Sequence, residues 1–337
     1  MALRNLTRIG AGLAAAFALA PAAHAETLDI EAVYAANVDL PGDIETIVID
    51  TLQGEIGPDA EIAIQVTLGS AALDGLLYYR VLRADAPMTG GTVTIGDQES
   101  VRSAIAPDAI LSGVVRADII ERQLDPRMRS ECVERDDKDR CVRREEFPIP
   151  CREMTVQLMP RLLLTDGAGQ QLYMNNEALS QRVRFCRNDN VIPSAFDISD
   201  ALIDEMAQNI RLDLAPIKRS EGIRIMESRK DLARGDRDAF RDAVRLTKSD
   251  QAASCDGFAS LEERNPTQVS VLFNIGLCHE AAGELDEAKG YYTRALEVSP
   301  GRGSPTQGLS RIVSRERAAI QIAAREAARA PDESVPE

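Results

Sequence analysis

From Leu28 to Pro216 short runs of β-type residues alternate with runs that repeat at helical spacing. Thr27 to Val38 and Ile44 to Leu52 are rich in β-branched side chains and are separated by Pro41-Gly42, a turn signal, so the pattern predicts two early strands. Asp59 to Leu73 carries apolar residues at helical spacing and leads into Gly75, after which Leu76 to Leu82 reads as a strand, giving a strand-helix-strand unit. Ser100 to Ile105 is a short helix candidate, and Ala109 to Ile120 a long strand with Gly113 near its middle. Two apolar-rich runs flank Asp166-Gly167-Ala168-Gly169, the composition a tight turn demands, and predict a hairpin from Met154 to Phe185. Ser194 to Leu214 reads as an amphipathic helix presenting Phe196, Ile198, Ala201, Leu202, Met206, Ile210 and Leu214, suited to cover one face of the sheet. The fold class that follows is α+β: an N-terminal α/β sandwich over 26–216, with an all-α domain behind it.

Beyond Pro216 the pattern turns helical. A charged stretch over 217–235 is expected to be a helical linker, and 236–330 a repeat domain. Leu272, Ile275, Gly276, Ala288, Tyr292, Ala295 and Pro300 fall at the spacings of a tetratricopeptide repeat, with small residues where paired helices approach and Pro after the second helix. Phe258, Leu261 and Pro266 stand 34 residues before Tyr292, Ala295 and Pro300, marking a weaker repeat in front. Thr306 to Ala330, with Leu309, Ile312, Val313, Ile320 and Ala323 on one face, is expected to be the capping helix of the array, and 331–337 a disordered tail.

Four segments of the first half carry a family resemblance: Val33 to Pro41, Ile44 to Asp50, Asp108 to Gly113, and Leu164 to Gly167. They resemble the CsgG-like envelope proteins, a group that includes the curli-secretion channel subunit and whose fold is related to that of outer-membrane activators of peptidoglycan synthases. The resemblance covers about half the chain and implies a CsgG-like α/β domain in an envelope protein. Many members are lipoproteins, and this sequence departs from them in having no Cys at its cleavage site.

Residues 1–25 have the parts of a secretory signal: Arg4 and Arg8, an apolar run from Ala11 to Ala20, and Ala23-His24-Ala25 before Glu26, so cleavage is expected between Ala25 and Glu26. The apolar run is about ten residues, against the roughly 20 a membrane helix needs, and no later segment qualifies. The mature chain is therefore expected in the periplasm or outside the cell, with no transmembrane segment. Removal of the signal takes the formal charge from -15 to -17, which disfavours nucleic acid and anionic lipid surfaces as partners. The sequence has no Trp, which argues against a sugar-stacking cleft. His279 is the single mature histidine, so most Ser-His and Cys-His schemes lack a base. No phosphate loop, zincin helix, nucleophile elbow or calcium loop occurs, and no cofactor or metal is expected.

Six cysteines in an exported chain point to disulfides. Cys151 and Cys186 lie almost symmetrically about the Gly167-Ala168 turn, so antiparallel strands would bring them together. Cys255 and Cys278 are nearly equidistant from the Pro266 turn between two helices, so antiparallel packing would pair them. Cys132 and Cys141 remain, closing the base of a densely charged loop over 127–147. Zinc is disfavoured because the intervals lack a Cys-x-x-Cys pair and no His is near. His279 is expected to pack between helices or line a groove.

The sequence thus reads as a non-catalytic interaction protein, an envelope adaptor or assembly factor whose repeats bind other envelope proteins or peptides, with the Cys132–Cys141 loop as a second docking element. The alternatives are a self-associating structural or secretion component, which makes a homo-oligomer, and a carboxylate-dependent hydrolase.

Overall fold

The computed structural model describes residues 26–84 and 107–329. The signal segment, the Ser100–Ile105 helix candidate and the tail from Ala330 lie outside the described residues. The chain divides into two compact units, an α/β unit formed by residues 31–221 with 306–329, and a repeat unit formed by residues 26–30 with 222–305.

In the α/β unit, β2 (Thr46–Ile49) lies parallel between β5 (Arg80–Arg83) and β6 (Ala109–Arg135), with α1 (Gly57–Gly69) in the crossover. This is the strand-helix-strand unit that the apolar spacing predicts. Between α1 and β5 sit two short strands, β3 (Ala72–Leu73) and β4 (Leu76–Leu77), which form a small hairpin of their own. β6 then pairs antiparallel with β7 (Cys141–Asp166), which also carries β8 (Gln171–Asn175) and β9 (Leu179–Cys186) along its far edge. The expected Met154–Phe185 hairpin is present, but its return strand is broken between Asn175 and Leu179. Leu162 opposite Asn175 and Leu158 opposite Leu179 keep one register across the break.

Alternation along the strands decides which face is covered. Ile47, Ile49, Leu111, Val156 and Leu158 are buried, whereas Val48 and Ile110 between them are only half-buried. Against the buried face pack α1, through Ile64 and Leu68, and α2 (Ala195–Leu214), capped by Ser194, whose hydroxyl accepts from the Asp197 amide. α2 buries Ile198, Leu202, Met206, Ile210 and Leu214, and each such side chain contributes about 1.5–3 kcal/mol. Phe196, expected on that face, is 68% exposed, and Ala201 is also exposed, while Ile203 and Ala207 are buried instead. Phe196 precedes Ile198 by two positions, which on a helix is roughly the opposite side.

Gly113 has a φ of 146°, and a Cβ there would lie 2.1 Å from the Arg161 carbonyl oxygen. The closeness of β6 and β7 at this point demands glycine.

Past the sheet, β6 and β7 continue together as a ribbon, from Leu124 opposite Cys151 to Arg135 opposite Cys141. Eleven further residues at strand rise give it a reach of roughly 35 Å. The 127–147 segment is therefore two paired strands and a short turn rather than a loop. Asp136 makes the turn, its carboxylate accepting from the Lys138 and Arg140 amides at 3.0 and 2.9 Å, and the Cys132–Cys141 disulfide ties the strands beside it. Seven basic and seven acidic residues over 127–147 leave the ribbon neutral on an acidic chain, with pairs such as Arg143–Glu134 across it.

The expected capping helix is α7 (Gly303–Arg329), and from Thr306 onward it groups with the α/β unit. Ser314 accepts the Ala35 amide through its hydroxyl at 3.1 Å, and Gln321 both accepts from the Ala36 amide and donates to its carbonyl. Arg317 pairs with Asp39 at 2.8 Å, and Arg325, 5% exposed, donates to the Ile44 and Tyr78 carbonyls with its guanidinium 4.4 Å from the Tyr78 ring. The apolar stripe suggested a cap. The polar side chains beside it set this part of the helix against residues 35–45 instead, which corrects the 236–330 repeat boundary.

In place of the expected 217–235 helical linker there is β10 (Ile217–Arg224), paired with β1 (Thr27–Tyr34), then an extended stretch from Ile225 to Arg229 and a 3₁₀ turn at Arg234–Asp236. Charge alone suggested a helix, but the burial of β10 alternates and its partner strand satisfies its main chain.

Candidate functional site

The repeat unit stacks α3 (Arg237–Leu246), α4 (Gln251–Glu262), α5 (Val269–Ala282) and α6 (Leu285–Val298). Leu272, Ile275, Ala288, Tyr292 and Ala295 are each at most 2% exposed and converge between α5 and α6, while Pro300 stands exposed after α6. Gly276 faces Tyr292, where an added Cβ would come within 2.8 Å of the ring. In front of them, Phe258 and Leu261 are fully buried, and Phe258 meets Phe240 of α3 at 5.6 Å.

All three expected disulfides are present. Cys255–Cys278 joins α4 to α5, Cys151–Cys186 joins directly opposed residues of β7 and β9, and Cys132–Cys141 closes the ribbon tip.

His279 stacks on Tyr291 at 5.2 Å and its Nδ1 lies 2.6 Å from a Glu284 oxygen, a packing role between α5 and α6 as the repeat pattern implies. Beside it Tyr291 and Arg294 both donate to Glu262, at 2.8 and 2.6 Å. Burial opposes ionisation of Glu262, but these two donors outweigh it and hold its carboxyl below the usual range.

Sequence spacing did not single out the polar side chains that line one face of this unit. Asn274, fully buried within the apolar run from Val271 to Leu277, accepts from the Met226 amide at 2.9 Å and donates to the Met226 carbonyl at 2.9 Å. Gln268 caps α5 by accepting from the Val271 amide at 2.7 Å, and its amide nitrogen donates to the Ser228 and Lys230 carbonyls at 3.1 and 2.9 Å. Asn265 accepts from the Ala233 amide at 3.3 Å and donates to Asp236. Three side-chain amides thus hold the main chain of the 225–233 segment, which turns at Lys230–Asp231, where Asp231 has a φ of 67°. Ile225 and Leu232, each 3% exposed, anchor its ends, and Glu227, Ser228, Arg229, Lys230 and Asp231 between them are exposed. Glu26, the first residue after the expected cleavage site, accepts the Ile225 amide through its carbonyl at 3.0 Å. The legible signal was Asn274 itself, a lone amide within the apolar run from Val271 to Leu277.

What this arrangement can do is recognise polypeptide: helices α5 and α6 form a tetratricopeptide unit, and its amides read a main chain. A tetratricopeptide repeat model matches residues 269–302. No curated protein matches the chain. Among solved structures, a point mutant of MamA is 17% identical with a TM-score of 0.22, covering 30% of this chain and 77% of that one. A putative neuraminyllactose-binding hemagglutinin homolog from Helicobacter pylori is 8% identical with a TM-score of 0.25, covering 53% and 87%. A PelC dodecamer from Paraburkholderia phytofirmans, also a point mutant, is 12% identical with a TM-score of 0.22, covering 54% and 96%. All three are low-scoring likenesses to part of the chain. No described helix is long and apolar enough to cross a membrane.

Proposed function

We propose that this chain is an exported, non-catalytic adaptor or assembly factor of the cell envelope, with a CsgG-like α/β unit and a repeat unit that binds a protein partner. The observation that carries the reading is the tetratricopeptide repeat at 269–302, a unit whose use is to hold polypeptide. Three disulfides fit an oxidising compartment, and the signal-like residues 1–25 supply the route there. The ribbon, rigidified at its tip, is the second docking element, since a preorganised surface lowers the entropic cost of association.

The test is mild crosslinking and affinity purification of the tagged full chain from its own envelope, beside Gly276→Leu. That substitution drives a side chain into Tyr292 and separates α5 from α6, while leaving 306–329 in place for the α/β unit. Loss of a specific partner is the expected result; recovery of every partner by the variant sinks the reading.

One observation favours self-association as a second reading. Among the described residues, β6 beyond Val115 pairs only with β7, and β7 from Cys141 to Ile149 pairs only with β6, so the ribbon offers two open strand edges. Recovery of the tagged chain with untagged copies alone would select it.

A further inference from the structure

Met154 and Val156 of β7 belong to the core under the helices, so Glu153 and Thr155, which alternate with them, face the other side of the sheet. One row of that outer face holds Arg122 of β6, Glu153 and Arg184 of β9, and Arg182 stands two positions along β9. Arg122 and Arg184 each reach the Glu153 carboxylate at 2.7 Å, and Arg182 lies 3.7 Å from it. The Glu153 side chain is 3% exposed, whereas the three arginine side chains are 60–66% exposed. The bond from Arg184, with that from Arg122, holds the Glu153 carboxyl below the usual range against the cost of burial, so it stays charged and fixes the guanidinium groups around it. Three cations around one anion leave a surplus of two positive charges on a chain whose formal charge is -15.

We propose that this arginine group is a docking site for an acidic segment of a partner protein, laid along β9 with carboxylates on alternate residues. Charge complementarity selects the ligand: an acidic segment is drawn to this local surplus and repelled by the chain's acidic surface elsewhere. Spacing selects its form. Arg182 and Arg184 are two positions apart on one strand, about 7 Å, which is also the repeat of alternate side chains in an extended peptide. The guanidinium groups converge on Glu153 itself, so their surplus charge faces outward along the strand rather than around one point that a compact dianion could fill. Among the described residues β9 pairs only with β7, which leaves its far edge open to an added strand. Charged side chains on an edge deter neutral strands, so this edge suits one that neutralises them. The flanking rows bring no acid beside β9: Cys151 and Cys186 lie on one side, Gln157 and Ser180 on the other, with Asp118 across β7 on β6. The site lies in the α/β unit, so it goes beyond the repeat-based reading and does not depend on it.

The probe is a fluorescent peptide, Ser-Glu-Thr-Glu-Thr-Glu-Ser, titrated at low salt against the disulfide-bonded full chain beside a control peptide with Gln in place of each Glu. The acidic peptide is expected to bind at least about 10-fold more tightly than the control, and to be released as salt is added. Arg182→Gln/Arg184→Gln should weaken it by about 10-fold, while Gly276→Leu, which disturbs the repeat, should leave it unchanged. Equal binding by the parent and the arginine variant, or no binding of the acidic peptide to the parent, overturns the proposal. Preference for phosphatidylglycerol vesicles, or for inorganic phosphate, over the peptide assigns the face to phosphate and overturns it as well. A dimer in light scattering that the arginine variant dissolves gives the face to a second copy of this chain, with the same consequence. Should the arginine variant lose its circular dichroism, phenylglyoxal labelling of the unmodified chain decides. The peptide must protect Arg182 and Arg184 but not Arg237 of the repeat unit, and unchanged labelling overturns the proposal.

Discussion

The Arg325 guanidinium lies over the ring of Tyr78 and donates to the Tyr78 carbonyl, holding residues from the far end of the described chain to the strand-helix-strand unit near its start. A second donation to the Ile44 carbonyl at 2.8 Å spans 281 positions of sequence. Arg325→Ala should leave both buried carbonyls unpaired and cost about 2–4 kcal/mol of stability. Urea unfolding of the variant measures it, with faster amide exchange expected across residues 36–46. A loss under about 0.5 kcal/mol would place the helix outside the folded core.

Gly113→Val tests the crossing of β6 and β7. A positive φ and a carbonyl 2.1 Å from the added carbon leave no room for a side chain. A loss of more than about 2 kcal/mol is expected, because backbone strain and displacement of β7 add. Unfolding midpoints read it directly.

The disulfides should separate under stepwise reduction. Cys151 and Cys186 are 6% and 5% exposed and close 35 residues, whereas Cys132 and Cys141 close nine at an exposed tip. Replacing the first pair with Ser should cost about 4 kcal/mol and the second about 2.5 kcal/mol, since closure of a longer loop constrains the unfolded chain more. Thermal unfolding of the two double variants gives the order.

Acid should reveal Asp236. Its carboxylate accepts from Arg264 at 2.9 Å and from Asn265 at 2.8 Å, and these bonds hold its pKa below the ordinary 3.8. With the folded value depressed, its contribution is complete above about pH 5 and is lost as pH falls through the folded value. Asp236→Asn should therefore unfold at lower urea than the parent at pH 7, and the two midpoints should draw together as the pH is lowered below 3.8. A constant gap across that range would refute the assignment.

Much of this was legible in the sequence alone. The Cys151–Cys186 pair followed from symmetry about one turn, and the repeat followed from seven spacings, because both are local patterns. Periodicity failed where polar contacts outweigh it. The stripe through Leu309 and Ile312 said only that α7 packs on something; Ser314, Gln321 and Arg325, which hold it to residues 35–45, looked like ordinary surface residues. Segment 217–235 was misread for the same reason. Its charges suggested a helix, whereas β10 pairs with β1 and Asn274, some 48 positions later, holds the Met226 main chain. Phe196 failed by phase, one apolar residue on the wrong side of a well-read helix.

Because 306–329 complete the α/β unit, its earlier strands wait for them as the chain is made. A polypeptide made from its N-terminus delivers residues 222–305 first, and their short-range helix pairs can close while the α/β unit is still unfinished. Until Arg325 arrives, Tyr78 and Tyr79 lack their cover. A chain cut short before that point would leave those rings uncovered, so the last helix is the seal that closes the unit.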